Sequence, residues 1–224
     1  MKIHVKRVLN FFDEIPPESS RHVTGVVSVA GEDLGAGLFK HYLEKKCKAK
    51  VHVLRKTPTI GKKKGRRLDR WITVQWPGGT KNIFQTEIKN WSAHAIGGKR
   101  LLIKATKDQI KSFALDSWGR HWNNNRNYPK GKNVRKVLIR MRRPAEIPLS
   151  YRVAPLVIMW VVLHPKGSSE CLFSHKVNSK SGFKKIWYFS MSSYLRMISK
   201  KTIDLDMPDM TKRMAWFKRL FSKS

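Results

Sequence analysis

Residues 68–89 read LDRWITVQWPGGTKNIFQTEIK, two strand patterns around a turn signal. From 68 to 75 the side chains alternate. Leu68, Arg70, Ile72 and Val74 fall on one side, and Asp69, Trp71, Thr73 and Gln75 on the other, the period-two pattern of a strand. Pro77-Gly78-Gly79 is a turn signal, so the strand that follows, 82–89, is expected to pair back as a hairpin. Glu87 and Lys89, two positions apart, then share a face, and Asp69 lies on the partner strand away from its apolar side. Two carboxylates and one ammonium can therefore converge at one point. Between Lys45 and Lys107 these are the only two acids, so they stand out from ordinary surface charge.

Outward from the hairpin, residues 31–46 read as a helix, with Leu34, Leu38, Tyr42 and Phe39, Leu43 on an apolar face. Residues 51–54 form a short strand. Thr106 to Gln109 is a capping box that opens a helix carrying Ile110, Phe113, Ala114, Trp118 and Trp122 on one stripe. Residues 134–141 and 156–163 read as strands, 172–177 with 185–189 as a hairpin, and a helix follows from about Ser192. Residues 1–9 alternate weakly, as a first strand would. The tail, 209–224, is a basic amphipathic helix, with docking on its own core favoured over a partner or a membrane surface. The expected class is mixed α/β (α+β): a central mixed sheet flanked by helices. A core with the N-terminal strand would occupy 1–165. Residues 166–224 would add the hairpin and basic helices, packed on the same domain.

The charge narrows the partners. Lys and Arg number 47 against 15 acids, a formal net charge of +32, while hydrophobic residues still make up 41%. That is globular material with a field that repels itself unless an anion is near. Nucleic acid is the first candidate and an anionic membrane surface the second. Two cysteines imply no disulfide framework. Residues 1–12 lack the uninterrupted apolar stretch of a signal peptide, and the run 153–163 is too short to span a bilayer. A soluble, cytoplasmic protein is the expectation.

Phosphodiester hydrolysis needs oxygen ligands for a hard cation and a positioned water. Asp69 and Glu87 supply the first, and Lys89 can act on the second or on developing phosphate charge. Arg67-Leu68-Asp69-Arg70-Trp71 followed by Gln85-Thr86-Glu87-Ile88-Lys89-Asn90-Trp91 resembles the Asp…Glu-x-Lys signature of the PD-(D/E)XK, restriction-endonuclease-like nucleases. Their core runs helix, three-strand meander, helix, strand, the order read above. The resemblance covers roughly residues 31–163. Leu68 stands where the signature has proline.

The resemblance implies a DNA endonuclease using magnesium (or manganese), held by Asp69, Glu87 and the backbone carbonyl of Ile88. An acid on the preceding helix assists, here Glu32, and Lys89 acts on the water. It also admits a homodimer, since double-strand cutters of this kind often pair two active sites, though no residue pattern marks a two-fold interface. The rival is a non-catalytic basic nucleic-acid-binding protein, which the charge supports equally. Lys62, Lys63, Lys64, Arg66 and Arg67 lie in the loop feeding the Asp69 strand and read as phosphate contacts or as a solvated loop. Arg140, Arg142 and Arg143, beside Arg135 and Lys136, have the same two readings. Trp91 could stack on an unpaired base or pack the sheet edge. Cys171 with His175 and His164 is too sparse for the usual structural zinc set.

Overall fold

The computed structural model describes residues 1–14, 20–54, 68–89, 105–123, 128–166, 168, 170–178 and 182–221. Its centre is a six-stranded mixed sheet built from β2 (Lys50–Leu54), β3 (Arg70–Gln75), β4 (Lys81–Lys89), β7 (Arg152–Met159), β8 (Leu172–Lys176) and β9 (Lys185–Ser190), in the order β2-β3-β4-β7-β9-β8. β2, β3 and β4 form an antiparallel meander. β7 lies parallel to β4, β9 parallel to β7, and β8 returns antiparallel on β9. The hairpin β8–β9 thus belongs to the same sheet as the meander. Two short pairs stand apart: β1 (Lys2–His4) with β10 (Thr202–Asp204), and β5 (Trp122–Asn123) with β6 (Tyr128–Pro129).

The meander turns where the sequence places Pro77-Gly78-Gly79. The Gly79 amide donates to the Trp76 carbonyl at 3.0 Å, and Gly79 has φ 78°, a left-handed conformation that suits a residue without Cβ. Both sheet faces are covered. Ile72, Val74, Phe84, Ile88, Leu156 and Ile158 pack with α2 (Ser20–Lys46) and α5 (Met191–Met197). Trp71, Ile83, Val157, Met159 and Tyr188 pack on the opposite side. There α3 (Lys107–His121) brings Trp118 edge-on to Tyr188, ring centres 5.4 Å apart. Burial on both faces explains why β7 reads as an unbroken apolar run. Phe39 of α2 packs edge-on against both Phe84 and Phe189. The Thr106 capping box is present in full.

Several sequence expectations are corrected. Residues 134–141 are not a strand: α4 (Lys132–Arg135) runs into a 3₁₀ turn, Lys136–Leu138. Val134, Val137 and Leu138 are buried, a helical spacing of apolar groups. The first strand ends at His4, where α1 (Val5–Glu14) begins. α2 starts at Ser20, so Glu32 and Asp33 sit in its middle. Trp71 is 1% exposed, so the face of β3 read as polar is also core. Leu68 precedes the strand and packs on Trp71's side, leaving only Arg70, Ile72 and Val74 together toward α2. The tail helix α6 spans Pro208–Phe221. Its Met210 packs on the core while Trp216 is 70% exposed. Among the described residues no helix is long and apolar enough to cross a membrane.

Candidate active site

The register pairs Arg70 with Thr86, which sets Asp69 beside Glu87 at the end of the hairpin away from its turn. Asp69 is tied to β4 twice: its amide donates to the Thr86 carbonyl at 3.2 Å, and its carboxylate Oδ2 accepts from the Ile88 amide at 2.6 Å. Glu87 and Lys89, on the β4 face with Ile83, project to the side covered by Trp71 and Tyr188. The Lys89 ammonium lies 2.7 Å from Glu87 Oε1, 3.9 Å from Asp69 Oδ2 and 3.4 Å from the Ile88 carbonyl, to which it donates. One cation is therefore surrounded by the three oxygens singled out as metal ligands. Asp69, Glu87, Ile88 and Lys89 are brought together.

Glu87 is the unusual member. It is 1% exposed, and its Oε2 is buried with no hydrogen-bond partner among the described residues. Burial pushes its carboxyl above the ordinary range. The Asp69 charge adds to the rise, and Lys89 and Lys136 oppose it. An unsatisfied buried carboxylate oxygen is costly, and a further cation would relieve it. Two carboxylates and a carbonyl form a hard-oxygen set of the kind magnesium or manganese takes. Among the described residues no three His, Cys, Asp or Glu gather at one point.

Glu32 is not brought onto the pair. The Arg70 side chain leaves β3 toward α2, where Nη1 donates to Glu32 Oε2 at 3.1 Å and to the Asp69 carbonyl at 2.8 Å. Its Nη2 donates to Asp209 Oδ2 at 2.8 Å and lies 3.9 Å from Asp33 Oδ1. Glu32 reaches Asp69 through this guanidinium, at the backbone rather than the carboxylate. Buried Asp33 accepts from the Met210 amide at 2.8 Å, so Arg70 and Asp33 together anchor the start of α6.

Two contributors were hidden in the sequence. Lys136, read only as part of a basic stretch, places Nζ 3.7 Å from Glu87 Oε1 and is 42% exposed. Gln85, fully buried on the same face of β4, donates to the carbonyls of Val137 and Ile139 and accepts from the Met141 amide at 3.2 Å. It clamps the 3₁₀ turn to the sheet and so sets Lys136 over Glu87. A Gln two positions before the Glu was the available signal. Of the basic residues, Arg140 donates to the Gly182 carbonyl and stacks on Phe183, with 4.9 Å from guanidinium to ring centre. Arg142 is exposed. Arg143 donates to the carbonyls of Pro148 and Tyr151, closing its own loop. Lys62, Lys63, Lys64, Arg66, Arg67 and Trp91 lie outside the described residues. No protein-family model matches the chain, and neither a curated protein nor a solved structure matches it.

Proposed function

We propose that the chain is a metal-dependent nuclease, a hydrolase of nucleic-acid phosphodiester bonds, with DNA the first substrate to test. The observation that carries this reading is the convergence of the Asp69 and Glu87 carboxylates and the Ile88 carbonyl on one cation, beside a buried Glu87 oxygen that lacks a hydrogen-bond partner among the described residues. The order α2, β2-β3-β4, α3, β7, with β7 parallel to β4, agrees with the helix, meander, helix, strand core of PD-(D/E)XK enzymes and supports it. So does the +32 charge, which concentrates a polyanionic substrate at the surface.

Asp69, Glu87 and the Ile88 carbonyl would hold a magnesium or manganese ion, which when bound supplies Lewis-acid withdrawal of charge from the phosphate. The chain's own groups do the rest. The Lys89 ammonium lies within 3.9 Å of both carboxylates, where it can steady the charge that builds on a phosphate under attack. Asp69 is held by the Ile88 amide, so the oxygen set is ordered before substrate arrives. Lys136, more exposed, can meet the phosphodiester chain beside Glu87. Arg70 neutralises Glu32 and Asp209 on the far side of β3 and fixes the Asp69 backbone.

One observation favours the rival, a non-catalytic nucleic-acid-binding protein. Lys89 and Lys136 already face the same Glu87 oxygen, as in a structural ion pair. Plasmid, linear, single-stranded and branched DNA incubated with and without Mg²⁺ separates the two. The nuclease reading expects magnesium-dependent cleavage that falls at least a hundredfold in Lys89→Ala, with binding retained. Binding without cleavage of any of the four substrates refutes it.

A further inference from the structure

A second opening lies at the other end of the sheet, where β4, β7 and β9 begin. It encloses about 550 Å³, within the range of sites that take small ligands. Asn82, at the start of β4, lines it. Glu87 stands five residues further along, about 17 Å away at the rise of a strand, so the two sites are separate.

The lining combines two chemistries. Arg140, Arg152, Lys184 and Lys185 supply four cations, and among the described residues no Asp or Glu lines the opening. Trp76 and Trp187 supply aromatic surface, half-buried and stacked with ring centres 6.4 Å apart and 27° between planes. Both indoles are held in place. Trp76 Nε1 donates to Asn82 Oδ1 at 2.7 Å, and Trp187 meets Phe84 edge-on at 6.1 Å. The Lys185 ammonium sits 5.0 Å from the centre of the Trp187 ring, and the Arg140 guanidinium is oriented by Phe183. Positive charge is thus set directly beside an ordered aromatic surface.

A simple anion would need the cations and no indole. An apolar ligand would need the indoles and no cations. A nucleotide needs both, a π-face for its base and cations for its phosphate. The base must be unpaired, because a paired base presents no free face to stack on. We propose that this opening is a second nucleic-acid site, taking an unpaired nucleotide of a single strand. Its base lies against Trp76 or Trp187 and its phosphate on Arg152 and Lys185. Stacking without hydrogen-bond readout makes the site tolerant of sequence.

This inference is independent of cleavage at Glu87, and its test keeps the two apart. The full-length chain carrying Glu87→Gln is mixed, in EDTA, with a short single-stranded oligonucleotide bearing 5-iododeoxyuridine, irradiated, and mapped by peptide mass spectrometry. The expected crosslinks fall on Trp76 or Trp187. Arg152 and Lys185 are exposed, so Arg152→Ala/Lys185→Ala keeps the fold and lowers the crosslink yield about tenfold through lost phosphate contacts. The control Lys2→Ala/Lys111→Ala, equal in charge removed and also exposed, leaves the yield within about twofold. An abasic oligonucleotide of the same length competes at least about tenfold less well, having no base to stack. Crosslinks confined to other residues overturn the proposal. So do equal losses in both double variants, or an abasic competitor as good as the base-bearing strand.

Discussion

Gly35→Ala is expected to damage the candidate active site from the opposite face of the sheet. α2 crosses β4 so closely at Gly35 that an added Cβ would lie 2.8 Å from Ile88 Cγ2, 3.3 Å from Ile158 Cγ2 and 3.4 Å from Met191 Sδ. Carbon atoms ordinarily rest at about 3.5–4.0 Å, so helix and strand must part by about 0.7 Å or more at Ile88. Overpacking of this kind costs about 1–3 kcal/mol, against about 1 kcal/mol gained by replacing a mid-helix glycine with alanine. The net is a destabilisation of about 0–2 kcal/mol, which lowers Tm by a few degrees in a chain of this size. The functional effect should be larger. Ile88 lends its amide to Asp69 at 2.6 Å and its carbonyl to the oxygen set, and misplacement on the order of 1 Å can cost about a hundredfold in rate.

Urea melts and magnesium-dependent cleavage, measured on the same preparations, separate the two effects. Ile88→Leu removes the offending γ2 methyl at nearly constant volume, a change that costs less than about 1.5 kcal/mol. Gly35→Ala/Ile88→Leu should therefore recover stability and rate beyond the sum of the single effects. Stabilisation of Gly35→Ala by the full helix-propensity gain, or simple additivity in the double variant, would show that helix and strand do not clash at Ile88.

Acid should weaken the fold through His121. Burial lowers this imidazole to about 4, and its Nε2 pairs with the Tyr188 hydroxyl at 3.0 Å. Unfolded, the ring titrates near 6.5. Its contribution is whole above that pH and drains away as pH falls toward 4, by about 3 kcal/mol. Glu87 and Asp33, raised by burial, act in the opposite sense, so the check is the difference in melting between the parent and His121→Gln across pH 4–7. A difference independent of pH would count against a buried neutral ring. Arg70→Met leaves Asp33, a buried carboxylate, without its guanidinium and frees the start of α6. Stability should fall by roughly 3 kcal/mol and proteolysis should open near residues 205–213. Unchanged melting and digestion would show that this cluster holds nothing.

The hairpin was legible because its signals are local. Pro77-Gly78-Gly79 marks the turn, and a strand's period of two then dictates that Glu87 and Lys89 share a face with Asp69 across the pair. The capping box at Thr106 is local in the same way. What escaped depends on contacts remote in the chain. Glu32 was assigned to the carboxylate pair, but Arg70 intercepts it across 38 positions, and only the packing of α2 on the sheet decides which side of β3 that helix meets. The short turn at Lys136–Leu138 was read as a strand because its apolar residues fit either period over so few positions. The turn is held to the sheet by buried Gln85, which donates to the carbonyls of Val137 within it and Ile139 just beyond it. The insertion of β9 between β7 and β8 likewise rests on long-range pairing that leaves no local mark.

Whether Asp69, Glu87 and the Ile88 carbonyl form one divalent-cation site is open to direct measurement. Titration with Mn²⁺, followed by the electron paramagnetic resonance of the free ion, tests it without any assumption about substrate. The parent should take up Mn²⁺ at a site that Mg²⁺ competes for, and Asp69→Asn/Glu87→Gln should lose that site while remaining folded by circular dichroism. Equal uptake by the parent and the double variant, or no uptake by a folded parent in the presence of DNA, would rule the cation site out.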